Sequence, residues 1–344
     1  MSVIREIPLA SEPQKAKDFK SDQEVRWCPG CGDYAILATV QGFLPELNLK
    51  RENIVFISGI GCSSRFPYYM NTYGLHSIHG RAPAIATGLA VTRPDLSIWV
   101  VTGDGDALSI GGNHIIHLLR RNVDVKVLMF NNRIYGLTKG QYSPTSETGK
   151  ITKSTPLGSL EHPLDAASLA LGAEATFVAR ALDSDRKQLT EVLRAAANHK
   201  GTAFVEIYQN CDIFNDGAFD ILKNPETKDE AVINLVPGEP IKFGKDLSKA
   251  VVQGSSGLLK VVDSSSVNEN EIIVHDPTNP DPSIAFALTR LADSESLRYT
   301  TLGVLRSVEK STYDEAARSQ VEAAKTKGAD LQAVLKGQDT WIVN

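Results

Sequence analysis

The chain has 344 residues, of which 42% are apolar and 22% are charged, and its formal net charge is −5 at pH 7. These values are typical of a globular protein with one large core or two smaller ones, and they exclude a disordered chain. The apolar runs are too short to cross a bilayer, which argues against a membrane protein, and four cysteines are too few for a disulfide-rich secreted scaffold. The acidic charge balance argues against a nucleic-acid binder. We therefore expect a cytoplasmic protein.

The N-terminal part of the chain leads to three of the cysteines. Residues 1–24 are polar and mixed in charge, which predicts an arm and no signal peptide. The segment Trp27-Cys28-Pro29-Gly30-Cys31-Gly32 follows and contains a C-x-x-C pair. Residues 53–58 are short, apolar and rich in β-branched side chains, which predicts a buried strand that ends in a loop carrying Cys62.

The pattern of the next segment predicts a βαβ unit with polar residues at the end of each strand. An alanine-rich helix is predicted over residues 82–92, and a strand over 97–102 runs into Gly103-Asp104-Gly105-Asp106. A helix over residues 112–121 and a strand over 125–130 follow, and that strand ends in Asn131-Asn132. In open parallel sheets, ligands bind at the carboxyl ends of the strands. The Asp104 carboxylate and the Asn132 amide oxygen are oxygen ligands that suit Mg²⁺. The glycines beside Asp104 let the backbone come close to a diphosphate.

The alternation of strands and helices continues to the fourth cysteine. Residues 140–163 are rich in Ser, Thr, Pro and Gly, and so long a loop in a compact domain tends to be functional. The elements predicted after it are a helix over 165–172, a strand over 176–181, a helix over 185–200 and a strand over 202–209 that leads to Cys211. The sequence therefore predicts an α/β fold, a parallel sheet with helices on both faces.

The C-terminal part of the chain, residues 221–344, carries no catalytic motif. Short strands are predicted near 241–243, 258–263 and 272–275, and helices near 283–292 and 312–327. We interpret it as an extension that packs on the main domain, residues 25–220, or on a partner subunit.

The cysteine spacing leaves three interpretations open. Cys28 and Cys31 form a close pair, whereas Cys62 and Cys211 stand alone and far along the chain. An iron–sulfur cluster accepts one close pair plus distant thiolates, and four cysteines suit a 4Fe-4S cluster. Structural zinc more often uses two close pairs, and the two single cysteines could also be ordinary buried side chains.

Together these motifs resemble a known family. Gly103-Asp104-Gly105 with Asn131-Asn132 looks like the thiamine diphosphate and Mg²⁺ motif of thiamine-dependent enzymes. With it, W-C-P-G-C-G, G-I-G-C-S, H-G-R-A and Y-G-L-T-K-G-Q resemble the β subunit of 2-oxoacid:ferredoxin oxidoreductases, most of all the two-subunit 2-oxoglutarate type. The resemblance implies a thiamine diphosphate-binding domain over residues 25–220.

The resemblance also implies roles for individual residues. Cys28, Cys31, Cys62 and Cys211 would ligate one 4Fe-4S cluster, and Asp104, Asn132 and the carbonyl of Ile134 would bind Mg²⁺. The residues expected around thiamine diphosphate are Ile60, Gly61, Cys62, Ser63, His79, Gly103, Asp104, Gly105, Asp106, Asn132, Ile134, Gly136, Leu137 and Thr138. A substrate with a distal carboxylate needs a cation, for which Arg65 and Lys139 are the candidates.

The implied reaction converts 2-oxoglutarate, coenzyme A and oxidised ferredoxin into succinyl-CoA, CO₂ and reduced ferredoxin, or the reverse. The glutamate that activates thiamine diphosphate is expected on a separate α subunit, in an α2β2 assembly, so no catalytic residue is assigned to this chain. An enzyme specific for pyruvate or for a broad range of 2-oxoacids is the enzymatic alternative. The alternative outside enzymes is an iron–sulfur or zinc-stabilised scaffold subunit.

Overall fold

The computed structural model describes residues 7–255, 257–326, 328 and 330–343. The strands are β1 Ile54–Ser58, β2 Tyr73–His76, β3 Ser97–Gly103, β4 Lys126–Asn131, β5 Phe177–Leu182, β6 Ala203–Tyr208, β7 Val232–Asn234, β8 Lys242–Phe243, β9 Lys249–Gln253, β10 Leu259–Asp263 and β11 Thr300–Ser307. The α-helices are α1 Asp33–Phe43, α2 Ala82–Thr92, α3 Gly112–Arg121, α4 Ala166–Gly172, α5 Arg186–Asn198, α6 Asp220–Lys223, α7 Lys228–Ala231, α8 Ser283–Thr289, α9 Tyr313–Lys325 and α10 Leu331–Lys336.

The main sheet has eight strands in the order β2-β1-β3-β4-β6-β5-β11-β7. The first six of these run parallel to one another, and β11 lies antiparallel to β5 and parallel to β7. A second, antiparallel sheet of the order β10-β9-β8 belongs to the C-terminal extension.

Alternate residues of the central strands supply two separate cores, one on each face of the main sheet. Side chains such as Phe56 and Trp99 pack with helices α1 and α5. Side chains such as Ile57 and Val100 pack with helices α2, α3, α4 and α8 on the opposite face. Both faces are therefore buried, which explains why the strands read as nearly continuous apolar runs in the sequence.

Local capping explains where several helices begin and end. The Asp185 side chain accepts a hydrogen bond from the Gln188 N–H at the start of α5, and Asp165 does the same for Ser168 at the start of α4. Helix α3 ends before Asn122, which adopts the left-handed conformation (φ 51°) that suits asparagine.

The parallel α/β core follows the sequence prediction closely. Helices α2 and α3 have the predicted bounds, and β1, β3, β4, β5, β6, α4 and α5 differ from the predictions by one or two residues at an end. Helix α1 and strand β2 were not predicted. The long loop over residues 140–163 contains no helix or strand, as expected.

The C-terminal extension contributes two strands to the main sheet, β7 and β11, which the sequence did not predict. The strand predicted near 272–275 is wrong, since the chain there makes only isolated bridges, Val252 with Ile272 and Pro240 with Val274. Part of the predicted N-terminal arm also packs on the core, where Phe19 is fully buried. Across the described residues, no helix combines the length and apolar character that a bilayer crossing needs.

Candidate active site

The residues expected around a diphosphate come together at one edge of the sheet. They lie in the loops that follow β2, β1, β3 and β4, which are four consecutive neighbours in the sheet. Cys211 follows β6, the next strand in that order. The carboxyl ends of parallel strands lie at the same edge of a sheet. Candidate site residues that are spread over about 150 residues of sequence therefore form one surface.

The centre of this surface lies where the direction of winding reverses. From β1 the chain goes to β2 on one side and then to β3 on the other. The loops after β1 and β3 therefore diverge and leave a crevice, which is where open parallel sheets bind ligands. A β-carbon at Gly103 would lie 3.4 Å from the Ser63 hydroxyl, so the two loops come close to each other there.

Asp104 is buried at the end of β3 and is held by two hydroxyl groups. Its Oδ2 accepts hydrogen bonds from Ser143 Oγ at 2.5 Å and Thr145 Oγ1 at 2.6 Å. Burial raises the pKa of the Asp104 carboxyl, and these hydrogen bonds partly offset that rise.

Asp106 ties three loops of the site together. Its Oδ1 accepts hydrogen bonds from the backbone N–H groups of Ile60 (3.2 Å) and Gly80 (2.9 Å) and from His79 Nδ1 (2.7 Å). Its Oδ2 accepts a hydrogen bond from the Thr102 hydroxyl at 2.8 Å. Both of its oxygens are thus engaged by protein groups, so this residue, expected near the cofactor, positions the loops around it.

Asn132 lies on the loop after β4 and is linked to the cysteine loop through Asn215. The Asn132 amide oxygen accepts a hydrogen bond from the Ile134 N–H at 3.2 Å. Asn215 Nδ2 donates to the Asn132 carbonyl at 2.9 Å, and the Asn215 N–H donates to the Cys211 carbonyl at 2.9 Å. Asn215 therefore holds the candidate metal loop and the fourth cysteine at a fixed distance.

The four cysteines converge beside this edge. A β-carbon at Gly136 would lie 3.5 Å from Cys62 Sγ and 3.6 Å from Cys211 Sγ, so glycine there leaves room beside both sulfurs. The Trp27 indole N–H donates to the Cys62 carbonyl at 2.7 Å, and Gln209 Nε2 lies 3.4 Å from Cys31 Sγ. These bonds join the C-x-x-C segment to the loops of the other two cysteines.

Burial disfavours the charged form of three of the cysteines. Burial raises the pKa of the Cys62 thiol to about 12 and also raises that of Cys31, with the Asp33 carboxylate and neighbouring thiols adding to both. Burial likewise raises the pKa of Cys211. Thiolates at this place would need a cation for compensation, which is the chemistry that a metal group bound by the cysteines would supply.

The donor sets fit the two expected metal groups differently. Within the described residues, no three or more His, Cys, Asp or Glu side chains are arranged to hold a single metal ion. A 4Fe-4S cluster is bound by one thiolate per iron atom, so its cysteines surround a volume. The expected Mg²⁺ ligands comprise one carboxylate, one amide oxygen and one backbone carbonyl, an all-oxygen set that suits Mg²⁺ when phosphates complete it.

A cavity of about 400 Å³ opens beside the loop after β1. Arg65 lines it together with Ile60, Gly61 and Leu137, and so do Arg26 and His76, which the sequence analysis did not single out. Arg65 Nη1 donates to the Arg26 carbonyl at 3.0 Å. Lys139, the other candidate cation, lies outside this lining in an exposed left-handed turn (φ 75°).

Sequence reasoning missed Ser143, Thr145 and Asn215, which touch the predicted residues from loops. The Ser-Pro-Thr-Ser segment within the long loop was the available signal for the two hydroxyls. Asn215 belongs to the segment Asn210–Asp216, which resembles the 2-oxoglutarate-type enzymes, but its contact with Asn132 had no local signal because Asn132 lies 83 residues earlier in the chain.

Comparison with known proteins supports a thiamine diphosphate-binding domain in this part of the chain. Residues 59–207 match the family model for the C-terminal, TPP-binding domain of thiamine pyrophosphate enzymes. The chain is 66% identical over 342 residues to 2-oxoglutarate oxidoreductase subunit KorB of Mycobacterium tuberculosis, covering 98% of this chain and 91% of that protein. It is 43% identical over 199 residues to 2-oxoglutarate synthase subunit KorB of Methanocaldococcus jannaschii, covering 58% of this chain and 73% of that protein.

A solved structure matches the whole architecture. It is that of 2-oxoglutarate:ferredoxin oxidoreductase from Magnetococcus marinus with 2-oxoglutarate, coenzyme A and succinyl-CoA bound. The TM-score is 0.76 at 32% identity, and the match covers 96% of this chain and 98% of that one. The predicted fold and the predicted family resemblance are both confirmed.

Proposed function

The chain belongs to the family of 2-oxoacid:ferredoxin oxidoreductase β subunits, and on that premise we propose that its enzyme interconverts 2-oxoglutarate, coenzyme A and oxidised ferredoxin with succinyl-CoA, CO₂ and reduced ferredoxin. The observation that carries the proposal is the convergence of two independent motifs. The cysteine set and the Asp104–Asn132 pair meet at one edge of the sheet, joined through Asn215.

Thiamine diphosphate binds in the crevice between the loops after β1 and β3. Asp104, Asn132 and the Ile134 carbonyl would hold Mg²⁺, which would supply positive charge to offset that of the diphosphate. The cofactor supplies the carbanion stabilisation that lets a 2-oxoacid lose CO₂. This chain fixes the site: Asp106 holds the backbone of the loops after β1 and β2, and it orients the His79 ring through Nδ1.

Cys28, Cys31, Cys62 and Cys211 would hold one 4Fe-4S cluster, which would supply one-electron redox chemistry. Cys62 belongs both to this set and to the loop of the cofactor crevice, so a cluster held there would lie beside the cofactor. Cys28 is exposed, whereas the other three are partly buried, so a cluster held by them would have one side near the surface. That side is where ferredoxin docks.

The cavity beside Arg65 receives the distal carboxylate of the 2-oxoacid. A guanidinium recognises a carboxylate through two parallel hydrogen bonds, and Arg26 and His76 add polar groups to the same cavity. A substrate without a distal carboxylate, such as pyruvate, gains no contact from this cation, so the cavity favours the dicarboxylate. Lys139, on the exposed turn outside this lining, stays the second candidate cation.

An α subunit completes the active site. It supplies the glutamate that activates the cofactor, since the thiamine diphosphate domain here is the diphosphate-binding half. We assign an α2β2 assembly that works in the cytoplasm with ferredoxin and coenzyme A. Light scattering of the co-purified subunits measures the stoichiometry.

The first experiment is anaerobic co-purification with the α subunit, followed by an absorbance spectrum and iron, sulfide and zinc analysis. We expect a brown protein with about four irons per β chain, lost in Cys62→Ser and kept in the surface control Arg194→Gln. Colourless protein with stoichiometric zinc would refute the redox proposal and support the scaffold alternative.

The second experiment tests the substrate. In CoA-dependent reduction of a dye, Arg65→Gln is expected to raise KM for 2-oxoglutarate about tenfold or more and to leave that for pyruvate nearly unchanged, because only the dicarboxylate loses a charge-assisted contact. Equal effects on both substrates would contradict the assignment of Arg65, and faster turnover of pyruvate by the unaltered enzyme would favour the pyruvate alternative.

A further inference from the structure

Residues 143–146 of the long loop, Ser-Pro-Thr-Ser, run past the end of β3 and place buried hydroxyl groups against Asp104. Ser143, Thr145 and Ser146 are all at most 3% exposed. The Ser143 and Thr145 hydroxyls lie 2.5 and 2.6 Å from the same oxygen, Asp104 Oδ2. Burial of hydroxyls in a loop is costly unless each finds a partner, so this contact is a specific feature of the fold.

The segment is fixed from its other side by the turn after β4. Arg133 Nε donates to the Thr145 carbonyl at 2.8 Å, and the Ser146 hydroxyl donates to the Arg133 carbonyl at 2.6 Å. Arg133 is buried and holds a left-handed backbone conformation (φ 56°), which only firm surroundings maintain. The hydroxyls are therefore held in place independently of Asp104.

The Thr145 hydroxyl has two acceptors within reach, Asp104 Oδ2 and Asn131 Oδ1. The Thr145 hydroxyl lies 2.9 Å from Asn131 Oδ1 as well, but it has one proton, and the charged carboxylate is the stronger acceptor. Asn131 Oδ1 instead accepts the Arg133 N–H at 3.1 Å, while its Nδ2 donates to the buried Glu206 carboxylate at 2.8 Å. This amide is thus oriented by groups on both sides.

We propose that Ser143 and Thr145 are positioning residues for the Mg²⁺ of thiamine diphosphate: by saturating Oδ2 they fix the carboxylate plane of Asp104 and present Oδ1 to the cation. This inference rests on the proposed function, in which Asp104 is a Mg²⁺ ligand. Carboxylates that bind metals are commonly held by such hydrogen bonds, and losing one typically weakens metal binding 10- to 100-fold. The long loop thereby acquires a role at the cofactor.

The test measures metal binding to the αβ complex freed of cofactor and metal. Mn²⁺ replaces Mg²⁺ at oxygen sites and its electron paramagnetic resonance signal reports free ion, so its affinity is measured directly with thiamine diphosphate present. Thr145→Val is nearly isosteric and removes the hydroxyl, and Thr145→Ser restores it. Thr148→Val is the matched control, because the Thr148 hydroxyl on the same loop bonds to Glu295 at 2.6 Å and lies away from Asp104.

We expect Thr145→Val to weaken Mn²⁺ binding at least tenfold, with Thr145→Ser and Thr148→Val within twofold of the unaltered complex. We also expect kcat to recover in Thr145→Val at saturating Mg²⁺, which a folding defect would not allow. Ser143→Ala provides an independent second variant with the same expectation.

The outcomes separate this inference from the proposed function. If the unaltered complex binds Mn²⁺ without regard to thiamine diphosphate, the proposed metal site itself fails. If its binding depends on thiamine diphosphate while Thr145→Val and Ser143→Ala both bind within twofold, the metal site stands and the positioning role is overturned. Equal weakening in Thr148→Val would likewise overturn it, since the loop as a whole would then be responsible.

Discussion

The buried ion pair between Arg180 on β5 and Glu206 on β6 gives the sharpest prediction about stability. The two residues are direct neighbours in the parallel register, and Arg180 Nε donates to Glu206 Oε2 at 2.7 Å. Arg180 is fully buried and also contacts Asp165 Oδ2 at 3.0 Å. Burial opposes the charge on the guanidinium, but Glu206, Tyr208 and Asp165 together more than offset it and raise the pKa of Arg180 well above its ordinary value.

Glu206→Gln keeps the shape and removes the charge that compensates Arg180. Breaking a buried pair costs about 3–5 kcal/mol, because the remaining charge has no water around it. Asp165 retains part of the compensation and is slightly exposed, which places the expected loss at the lower end, about 3 kcal/mol. In urea unfolding followed by circular dichroism, this corresponds to a midpoint lower by roughly 1 M.

Two further variants make this reasoning refutable. Glu46→Gln breaks the surface pair with Arg194, in which both side chains are more than 40% exposed, and no measurable shift is expected. Arg180→Met combined with Glu206→Gln removes the uncompensated charge and is expected to regain at least half of the lost stability. A midpoint for Glu206→Gln within error of the unaltered chain, or no recovery in the double variant, would contradict the argument.

Three more predictions follow from single positions. Burial lowers the pKa of His199 from 6.5 to about 4, so as the pH falls the unfolded chain takes up this proton before the folded chain does. We therefore expect the protein to lose up to about 3 kcal/mol of stability between about pH 6.5 and pH 4. In His199→Gln, the urea midpoints at pH 7 and pH 5 should differ less than they do in the unaltered chain. Gly105→Ala is expected to destabilise by about 1–3 kcal/mol, because its β-carbon would lie 2.2 Å from the Tyr135 ring. Gly88 lies inside α2, and a β-carbon there would have no other atom within 4 Å, so Gly88→Ala is expected to stabilise the folded protein by about 0.5–1 kcal/mol. Calorimetry that finds Gly105→Ala more stable than Gly88→Ala would refute both estimates.

The sequence by itself determined the parallel α/β core and the motifs at its edge. Strands such as β3 and β4 are buried on both faces and therefore appear as apolar runs, and α3 shows its buried stripe as a helical periodicity. Gly103–Asp106 and Asn131-Asn132 follow those strands directly, so their place at the sheet edge was predictable from local order. These features depend on residues close in the chain.

Only the tertiary structure decided what those motifs touch. Strand β11 inserts between β5 and β7 more than 100 residues after β5, and its central Gly303 (φ 108°) interrupts the pattern from which a strand is predicted. Cys211 reaches Cys62 because β6 and β1 end at the same edge, and Thr145 reaches Asp104 because a turn around Arg133 folds the long loop back. Contacts of this kind join residues that are far apart in the chain and share no local pattern. They form because the whole sheet packs together, and the free energy of that packing cannot be read from any single segment.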